Sequence, residues 1–333
     1  RFLMVYSKVK QVSLIITSFI ILFCLIFLFC AFGSVKFSLK DIILSIFTKE
    51  NEVLNIIVYD IRLPRNLIAA FVGAGLSVSG TLLQAVMRNP LADPGITGVS
   101  SGASVMAIII LLVFPSFSFI LPVASFIGGL FACTLVFLLA WKNGEISPSR
   151  IILSGVAVNA IFGSIISIFT IMYSDRIQSA LLWLNGSLAQ KTWADFKLLC
   201  IYITFGLIVS LFCIRPSNIL ALGEKTVLSL GFNITHLRLF VTIVGVFLAG
   251  VCTSIVGIIG FVGLIIPHIS RIIVGCDYKY CLPLSISLGG IIVLIADTIA
   301  RTIGGSVELP VGIVMSLIGA PFFLYLLRKR KGE

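Results

Sequence analysis

The sequence predicts an all-α membrane protein, a polytopic bundle of about ten transmembrane helices with an inverted repeat, and three observations predict this class. Hydrophobic residues make up 59% of the 333 residues and charged residues only 11%, whereas soluble domains carry about 25% charged residues. Apolar runs recur along nearly the whole chain, and no polar domain separates them. Stretches rich in glycine and proline follow the second and the seventh runs. We therefore expect one transmembrane domain over residues 1–333, with lipid as its solvent.

Ten apolar runs approach the length of about 20 residues that a helix needs to cross a bilayer. The third and the eighth are short and flanked by glycine, so we expect tilted or partial spans there. The first is too long for the core of a signal peptide and has no convincing cleavage site after it, so we interpret it as a retained helix. The predicted spans are residues 12–32, 66–87, 97–114, 119–141, 150–172, 196–214, 238–256, 259–274, 283–303 and 310–327.

Two stretches interrupt the apolar pattern at corresponding places in the two halves of the chain. Residues 88–95 follow the second span, and residues 257–268 follow the seventh. Matching interruptions of this kind are typical of transporters built from inverted repeats. Within the second span, small residues recur every four positions and predict a face on which other helices pack closely. These small residues are Ala69, Gly73, Ser77 and Thr81.

The basic residues predict the orientation of the chain in the membrane. The net charge of +11 does not indicate nucleic-acid binding, because the basic residues lie at the ends of apolar runs instead of forming a patch. With both termini inside, 15 of the 24 Lys and Arg residues lie on the inner side and 9 on the outer side. Inner loops carry the excess of positive charge in membrane proteins. We therefore expect a multi-pass protein of the cytoplasmic membrane with both termini cytoplasmic.

The sequence carries no recognisable catalytic or metal-binding motif. The nearest approach to a phosphate-binding loop, residues 223–226, lacks the first glycine. His236 and His268 are 32 positions apart, without a carboxylate at ligand spacing, and no CxxC pair occurs among the eight cysteines. We therefore expect no catalytic residue, no metal and no cofactor in this chain, and we do not expect it to be an enzyme.

The nearly uncharged interior indicates a translocation pore whose energy comes from a partner. Ion-coupled transporters usually place several ionisable residues within the membrane. The clearest exception here is Asp297 with Arg301, four positions apart, which we interpret as a local ion pair near the outer end. The longest inner loop, residues 215–238, is suited to contact a cytoplasmic motor through a short surface helix from Leu220 to Leu230. Two alternatives remain open: an ion-coupled secondary transporter and, less favoured, a membrane-embedded enzyme.

Several motifs between residues 58 and 328 resemble those of one family in their order and spacing. They resemble the FecCD-type permeases, which are the membrane subunits of ABC importers for iron-siderophore, haem and cobalamin. The resemblance implies a ferric siderophore as the commonest cargo, and haem or cobalamin as the alternatives. The matching segments are residues 62–65, 80–84, 89–94, 98–102, 260–264, 267–268, 296–297 and 308–310.

The resemblance also implies an assembly. A second permease subunit, identical or related, is expected to enclose a central path, two cytoplasmic ATPase subunits to use ATP, and an extracellular binding protein to deliver the substrate. The implied ATPase-coupling residues lie in the loop 215–238, and the implied cytoplasmic gate lies in two other segments. The coupling residues are Leu222, Gly223, Glu224, Leu230 and Gly231, and the gate residues are Asn89, Leu91, Pro148 and Ser149. Pro148 departs from the small polar residue that the family pattern has there.

Three arginines match the family's contacts with the binding protein: Arg62, Arg65 and Arg301. Arg62 and Arg65 flank Leu63–Pro64 at the start of the second span, and proline restricts the entry geometry there. We expect these guanidinium groups near the outer surface, where a guanidinium binds carboxylate in a two-pronged geometry. The alternative is that the long side chains only reach towards lipid headgroups.

Overall fold

Helices form almost all of the regular structure in residues 8–33, 52–142, 145–303 and 308–330, which are the residues that the computed structural model describes. A short helix, Glu52–Asn55, and a π-helical turn, Ile56–Arg62, lead directly into the second long helix. The helices are α1 (Lys8–Leu28), α2 (Leu63–Met87), α3 (Val99–Ile108), α4 (Leu121–Ala140), α5 (Pro148–Met172), α6 (Ile177–Leu184), α7 (Trp193–Phe212), α8 (Ile214–Ala221), α9 (Glu224–Ser229), α10 (Ile234–Val256), α11 (Val262–Val274), α12 (Tyr278–Ile303) and α13 (Val311–Arg330). A hairpin of two-residue strands, β1 (Trp141–Lys142) and β2 (Glu145–Ile146), joins α4 to α5.

The lengths of these helices agree with the predicted fold class. In the described part of the chain, seven helices are long and apolar enough to cross a membrane by length and composition, and three shorter apolar helices accompany them. The shorter ones include the helices that follow the two interrupted stretches, Val99–Val113 and Val262–Val274. The protein is therefore an all-α, polytopic integral membrane protein.

Two helices form the centre of the bundle. The apolar window of the helix containing α2 is 89% buried and that of α10 is 78% buried, against 17% for α5 and 22% for both α1 and α7. Lipid-facing helices expose apolar side chains, so α1, α5 and α7 are peripheral in this chain. The central helices α2 and α10 correspond to the second and seventh predicted spans, and each is followed by an irregular stretch and a short helix where glycine and proline interrupt the apolar pattern.

Glycine lets α2 pack backbone to backbone with its neighbours. A Cβ on Gly73 would lie 2.0 Å from the carbonyl oxygen of Gly289 in α12, and a Cβ on Gly80 would lie 1.9 Å from that of Gly263 in α11. Ser77 donates a hydrogen bond of 2.7 Å to the Ser285 carbonyl. The small-residue face predicted on α2 is therefore a packing face, because larger side chains do not fit between these backbones.

The largest difference from the sequence-based boundaries lies in the loop 215–238. In place of one surface helix from Leu220 to Leu230, the chain forms α8 and α9, and α10 already begins at Ile234. The break falls at Gly223, whose φ of +103° and ψ of 152° are open essentially to glycine alone. The sequence also did not predict the short helix Glu52–Asn55 before α2 or the helix α6 in the connection between α5 and α7.

Candidate functional site

The three predicted docking arginines meet at one end of the bundle, which we call the arginine end. It comprises the end of α1, the start of α2, the end of α12 and the residues just before α13. The side chains of Arg62, Arg65 and Arg301 are buried there, with 6%, 6% and 5% of each residue exposed. The expectation that they lie at the surface is therefore wrong for the single chain, because groups within the chain bind their guanidinium ions.

Arg65 is held by two carboxylates. Its Nε and Nη2 atoms lie 3.0 and 2.9 Å from the carboxylate oxygens of Asp297, which is fully buried. Its Nη1 atom donates a 2.7 Å hydrogen bond to Glu308, whose side chain is 47% exposed. The predicted ion pair between Asp297 and Arg301 is replaced by this two-pronged pair with Arg65, since α2 lies against α12.

The other two arginines bind carbonyls of the helical turn Phe29–Ala31, which directly follows α1. Arg62 donates a 2.8 Å hydrogen bond to the carbonyl of Cys30. Arg301 donates to the carbonyl of Phe29 at 2.7 Å and to the side chain of Asn66 at 3.0 Å. Its Nε and Nη1 atoms have no hydrogen-bond partner among the described residues. These arginines therefore connect α1, α2 and α12 in the isolated chain.

A cavity of about 690 Å³ opens beside Arg65 and Glu308. Its wall combines apolar side chains such as Trp183 with charged ones, among them Asp60 and Lys191. Burial lowers the pKa of Lys191, and the nearby charge of Asp195 partly opposes this shift. Mixed walls of this kind accept bulky ligands that are partly apolar.

The first predicted gate segment, at the opposite end of α2, is a loop with two internal side-chain hydrogen bonds. Arg88 ends α2 with a left-handed backbone, φ 48°. The side chain of Asn89 accepts a 3.0 Å hydrogen bond from the N–H of Leu91, and both residues are partly exposed. The side chain of Asp93 likewise accepts a 2.8 Å hydrogen bond from the N–H of Gly95. Burial raises the pKa of the Asp93 carboxyl, and this hydrogen bond opposes the shift.

Gln84 attaches the same loop to the bundle. Its side chain donates to the carbonyls of Ala92 and Gly263, at 3.3 and 3.1 Å, and accepts a hydrogen bond from Arg271. Gln84 is 3% exposed. The loop after α2 is therefore joined to α11 through one buried amide.

The second predicted gate segment forms the first turn of α5. Pro148 occupies the first turn, and the Ser147 side chain accepts a hydrogen bond from the N–H of Arg150, so the helix has a standard start. Pro148 is partly exposed and Ser149 is exposed. The proline that departs from the family pattern thus fits its position, because a proline in the first helical turn needs no hydrogen-bond partner for its nitrogen.

Asn159 joins the loop after α2 to α5, and the sequence reasoning missed it. It donates a 3.1 Å hydrogen bond to the carbonyl of Gly95 and accepts one of 2.6 Å from Ser101. One turn earlier, Gly155 lies against the carbonyl of Ile96. The loop after α2 therefore lies against α5. An uncharged polar residue in the middle of an apolar run was the available signal.

The predicted coupling residues form the turn between α8 and α9 and the end of α9, which we call the coupling turn (residues 222–231). Positive φ angles at Gly223 and Gly231, +103° and +78°, bound α9. Val227 is fully buried beneath the turn. Leu222, Leu228 and Leu230 are each 56% exposed, so the turn presents several large apolar side chains on the face away from the bundle.

Comparison with known proteins gives one consistent result. The model of the FecCD transport family matches residues 19–329. The chain is 40% identical over 273 residues to the Fe(3+)-citrate import system permease protein YfmE of Bacillus subtilis (strain 168), covering 82% of each chain. It is 41% identical over 281 residues to the cobalamin import system permease protein BtuC of Halobacterium salinarum, covering 84% of this chain and 75% of that one.

A solved structure has the same fold. It is a metal-chelate type ABC transporter in an inward-facing conformation, with a TM-score of 0.84 and 29% identity, and the similarity covers 95% of this chain and 99% of that one. The likeness therefore extends over nearly the whole membrane bundle.

Proposed function

The chain belongs to the FecCD transport family and is a permease subunit of an ABC importer, and from this premise we propose that it carries a ferric siderophore across the cytoplasmic membrane. The relatives supply the chemical class, because one is named for Fe(3+)-citrate and the solved neighbour for a metal chelate. The relative named for cobalamin is as similar in sequence, so haem and cobalamin are the alternatives within the family.

We propose that two cytoplasmic ATPase subunits supply the energy, and that this chain binds no cofactor of its own. The observation that carries this proposal is the coupling turn. It exposes Leu222, Leu228 and Leu230 next to a buried anchor, Val227. Clustered apolar side chains on an otherwise polar turn mark a protein contact. The coupling role of Gly223, Glu224 and Gly231 follows from their place in the same turn.

A second permease subunit is proposed to face α5, so that the path runs between two subunits. This helix is largely exposed in the single chain, and its exposed side carries small and polar residues at helical spacing. They are Ala157, Ala160, Ser164 and Ser167. Asn89, Leu91, Pro148 and Ser149 are the proposed gate at the cytoplasmic end of this path. The proposal also includes both termini on the cytoplasmic side.

The extracellular binding protein is proposed to dock at the arginine end. Glu308 is partly exposed and pairs with Nη1 of Arg65. A carboxylate of the binding protein would replace Glu308 as the partner of this nitrogen. Arg62 and Arg301 are engaged with carbonyls at the end of α1. Docking through these three arginines therefore includes a local rearrangement of the end of α1, and the cavity beside Arg65 lies where the substrate would enter.

Reconstitution tests the proposal directly. The chain is placed in liposomes with its ATPase and binding-protein subunits, and uptake of a ferric siderophore, ferric citrate, haem and cobalamin is measured in parallel. We expect ATP on the side of the membrane that carries the ATPase subunits to drive uptake of the ferric siderophore. Ionophores should leave this uptake unchanged. Uptake that follows an ion gradient without ATP would establish the secondary-transporter alternative, and faster uptake of haem or cobalamin would correct the cargo.

A further inference from the structure

Arg238 connects the coupling turn with the segment that leads into α5. It lies in the second turn of α10 and is 3% exposed. Its Nη1 atom donates a 2.8 Å hydrogen bond to the carbonyl of Ile146 and lies 3.7 Å from a carboxylate oxygen of Glu224. One guanidinium therefore contacts two segments that are far apart in the sequence.

One contact lies next to the proposed gate, and the other lies in the proposed coupling turn. Ile146 is 1% exposed, belongs to β2 and is followed by Ser147, which caps α5, and by the gate residues Pro148 and Ser149. Glu224 is the first residue of α9, directly after Gly223. A displacement of α9 therefore changes the position of Arg238 relative to Ile146, two residues before the gate.

A second arginine lies between the coupling turn and the other gate segment. Arg88 directly precedes Asn89, and its Nη2 atom would lie 3.3 Å from a Cβ added to Gly223. Arg88 is exposed to solvent, whereas Arg238 is buried. Water screens an exposed contact more strongly than a buried one, so Arg238 is the stronger of the two connections.

We propose that Arg238 is a positioning residue that transmits movement of the coupling turn to the start of α5. This inference rests on the proposed function, since it needs an ATPase at the coupling turn and a gate at Pro148–Ser149. The guanidinium suits the task because its rigid plane keeps the donor to Ile146 and the charge beside Glu224 in a fixed arrangement. Lysine carries a single compact charge at the end of a flexible chain and holds these two contacts less rigidly.

The test separates coupling from folding. Arg238→Met removes both contacts, Glu224→Gln removes only the ionic one, and Arg238→Lys keeps the charge. Arg215→Met is the matched control, because it removes an exposed arginine from the adjacent α8. Each variant is reconstituted with its partners, and two quantities are measured: substrate imported per ATP hydrolysed, and the effect of ATP on disulfide formation between Ser149→Cys residues of the two subunits.

For Arg238→Met we expect ATP hydrolysis to continue while substrate imported per ATP falls about tenfold, the order expected for a lost hydrogen bond from a charged group. For Glu224→Gln we expect substrate imported per ATP to fall about threefold, as for a partly exposed ion pair. For Arg238→Lys we expect a fall between those of Glu224→Gln and Arg238→Met. ATP should no longer alter the Ser149→Cys crosslink in Arg238→Met. The double variant Arg238→Met/Glu224→Gln should be no worse than Arg238→Met, because both act through one contact.

Several results would overturn the inference. Wild-type import per ATP in both Arg238→Met and Glu224→Gln would do so, as would additive losses in the double variant or an equal loss in Arg215→Met. If Arg238→Met fails to insert or fold, Glu224→Gln and Arg238→Lys decide the matter. Absence of ATP-driven uptake in the wild-type assembly would instead contradict the proposed function, so the two failures are distinguishable.

Discussion

At the scale of single residues, the feature with the greatest consequence is the pairing of Arg65. Asp297 holds two of its nitrogen atoms inside the bundle, while Glu308 holds the third at the rim. Reversing the charge of Arg65 would place a carboxylate against the buried Asp297, and uncompensated buried charge strongly destabilises a protein. The docking role is therefore better tested at the exposed member of the cluster than at the arginine itself.

We predict that Glu308→Ala increases the association of the binding protein at low salt. It removes the carboxylate that competes for Nη1 of Arg65 while leaving the Asp297 pair intact. Charged contacts of this kind act mainly on the association rate, so a change of about threefold to tenfold is expected there. Surface plasmon resonance on the protein in nanodiscs measures it, and Asp60→Ala, which removes another exposed acid lining the cavity, is the control.

An association rate for Glu308→Ala that is unchanged or slower than that of Asp60→Ala would contradict the competition between Glu308 and the partner. It would indicate that Glu308 stabilises only the end of the bundle.

At the scale of elements, the break between α8 and α9 determines how the coupling turn is presented. The backbone of Gly223 adopts angles that other residues reach only with strain, and its position beside Arg88 leaves little space for a side chain. Gly231, at the other end of α9, also has a positive φ, but nothing lies within 4 Å of an added Cβ. The two glycines thus share a positive φ and differ in their surroundings.

We predict that Gly223→Ala impairs import more than Gly231→Ala does. The strain at Gly223 is on the order of 1–3 kcal/mol, and the added methyl group also displaces Arg88. Both variants should insert normally, because the coupling turn lies outside the spans. Import per ATP in liposomes is the measurement, with insertion checked by yield and by thermal unfolding in detergent.

Equal losses for Gly223→Ala and Gly231→Ala would show that the backbone angle alone matters and that the contact with Arg88 does not.

At the scale of the whole molecule, the distribution of burial separates central from peripheral helices. Helices α2 and α10 are enclosed within one chain, whereas α5 leaves most of its surface uncovered. The loop after α2 also lies on α5 through Asn159 and Gly155. If two copies meet along α5, the loop and the first turn of α5 approach their counterparts at the same end of the path.

We predict that Leu91→Cys and Ser149→Cys each crosslink between subunits of the resting transporter when no nucleotide is present, because a closed exit brings each position near its counterpart. Cys24 and Cys276, which are exposed, are first replaced by serine. Crosslinking is followed on non-reducing gels, and Leu211→Cys, an exposed position on the peripheral α7, is the control. Ready reaction of positions 91 and 149 with large thiol reagents in every state would contradict the gate assignment.

The sequence by itself determined the class of the protein, the approximate positions of its long helices and its family. Each of these depends on local composition or on contiguous motifs, which are read along the chain without knowledge of contacts. The same local information gave wrong partners and positions for charged side chains, because these depend on contacts between helices. It paired Asp297 with Arg301 because they are four residues apart, and it put the docking arginines at the surface because they lie at the end of a span.

Only the tertiary structure decided which polar groups meet. Arg65 and Asp297 are separated by 232 positions, and Arg238 and Ile146 by 92, so no local pattern relates them. In a bundle with few charges, a buried guanidinium needs acceptors, and helix packing alone determines which ones lie within reach. The contacts within the arginine end, and those between the coupling turn and the proposed gate segments, therefore became visible only once α2, α5, α10 and α12 were in place.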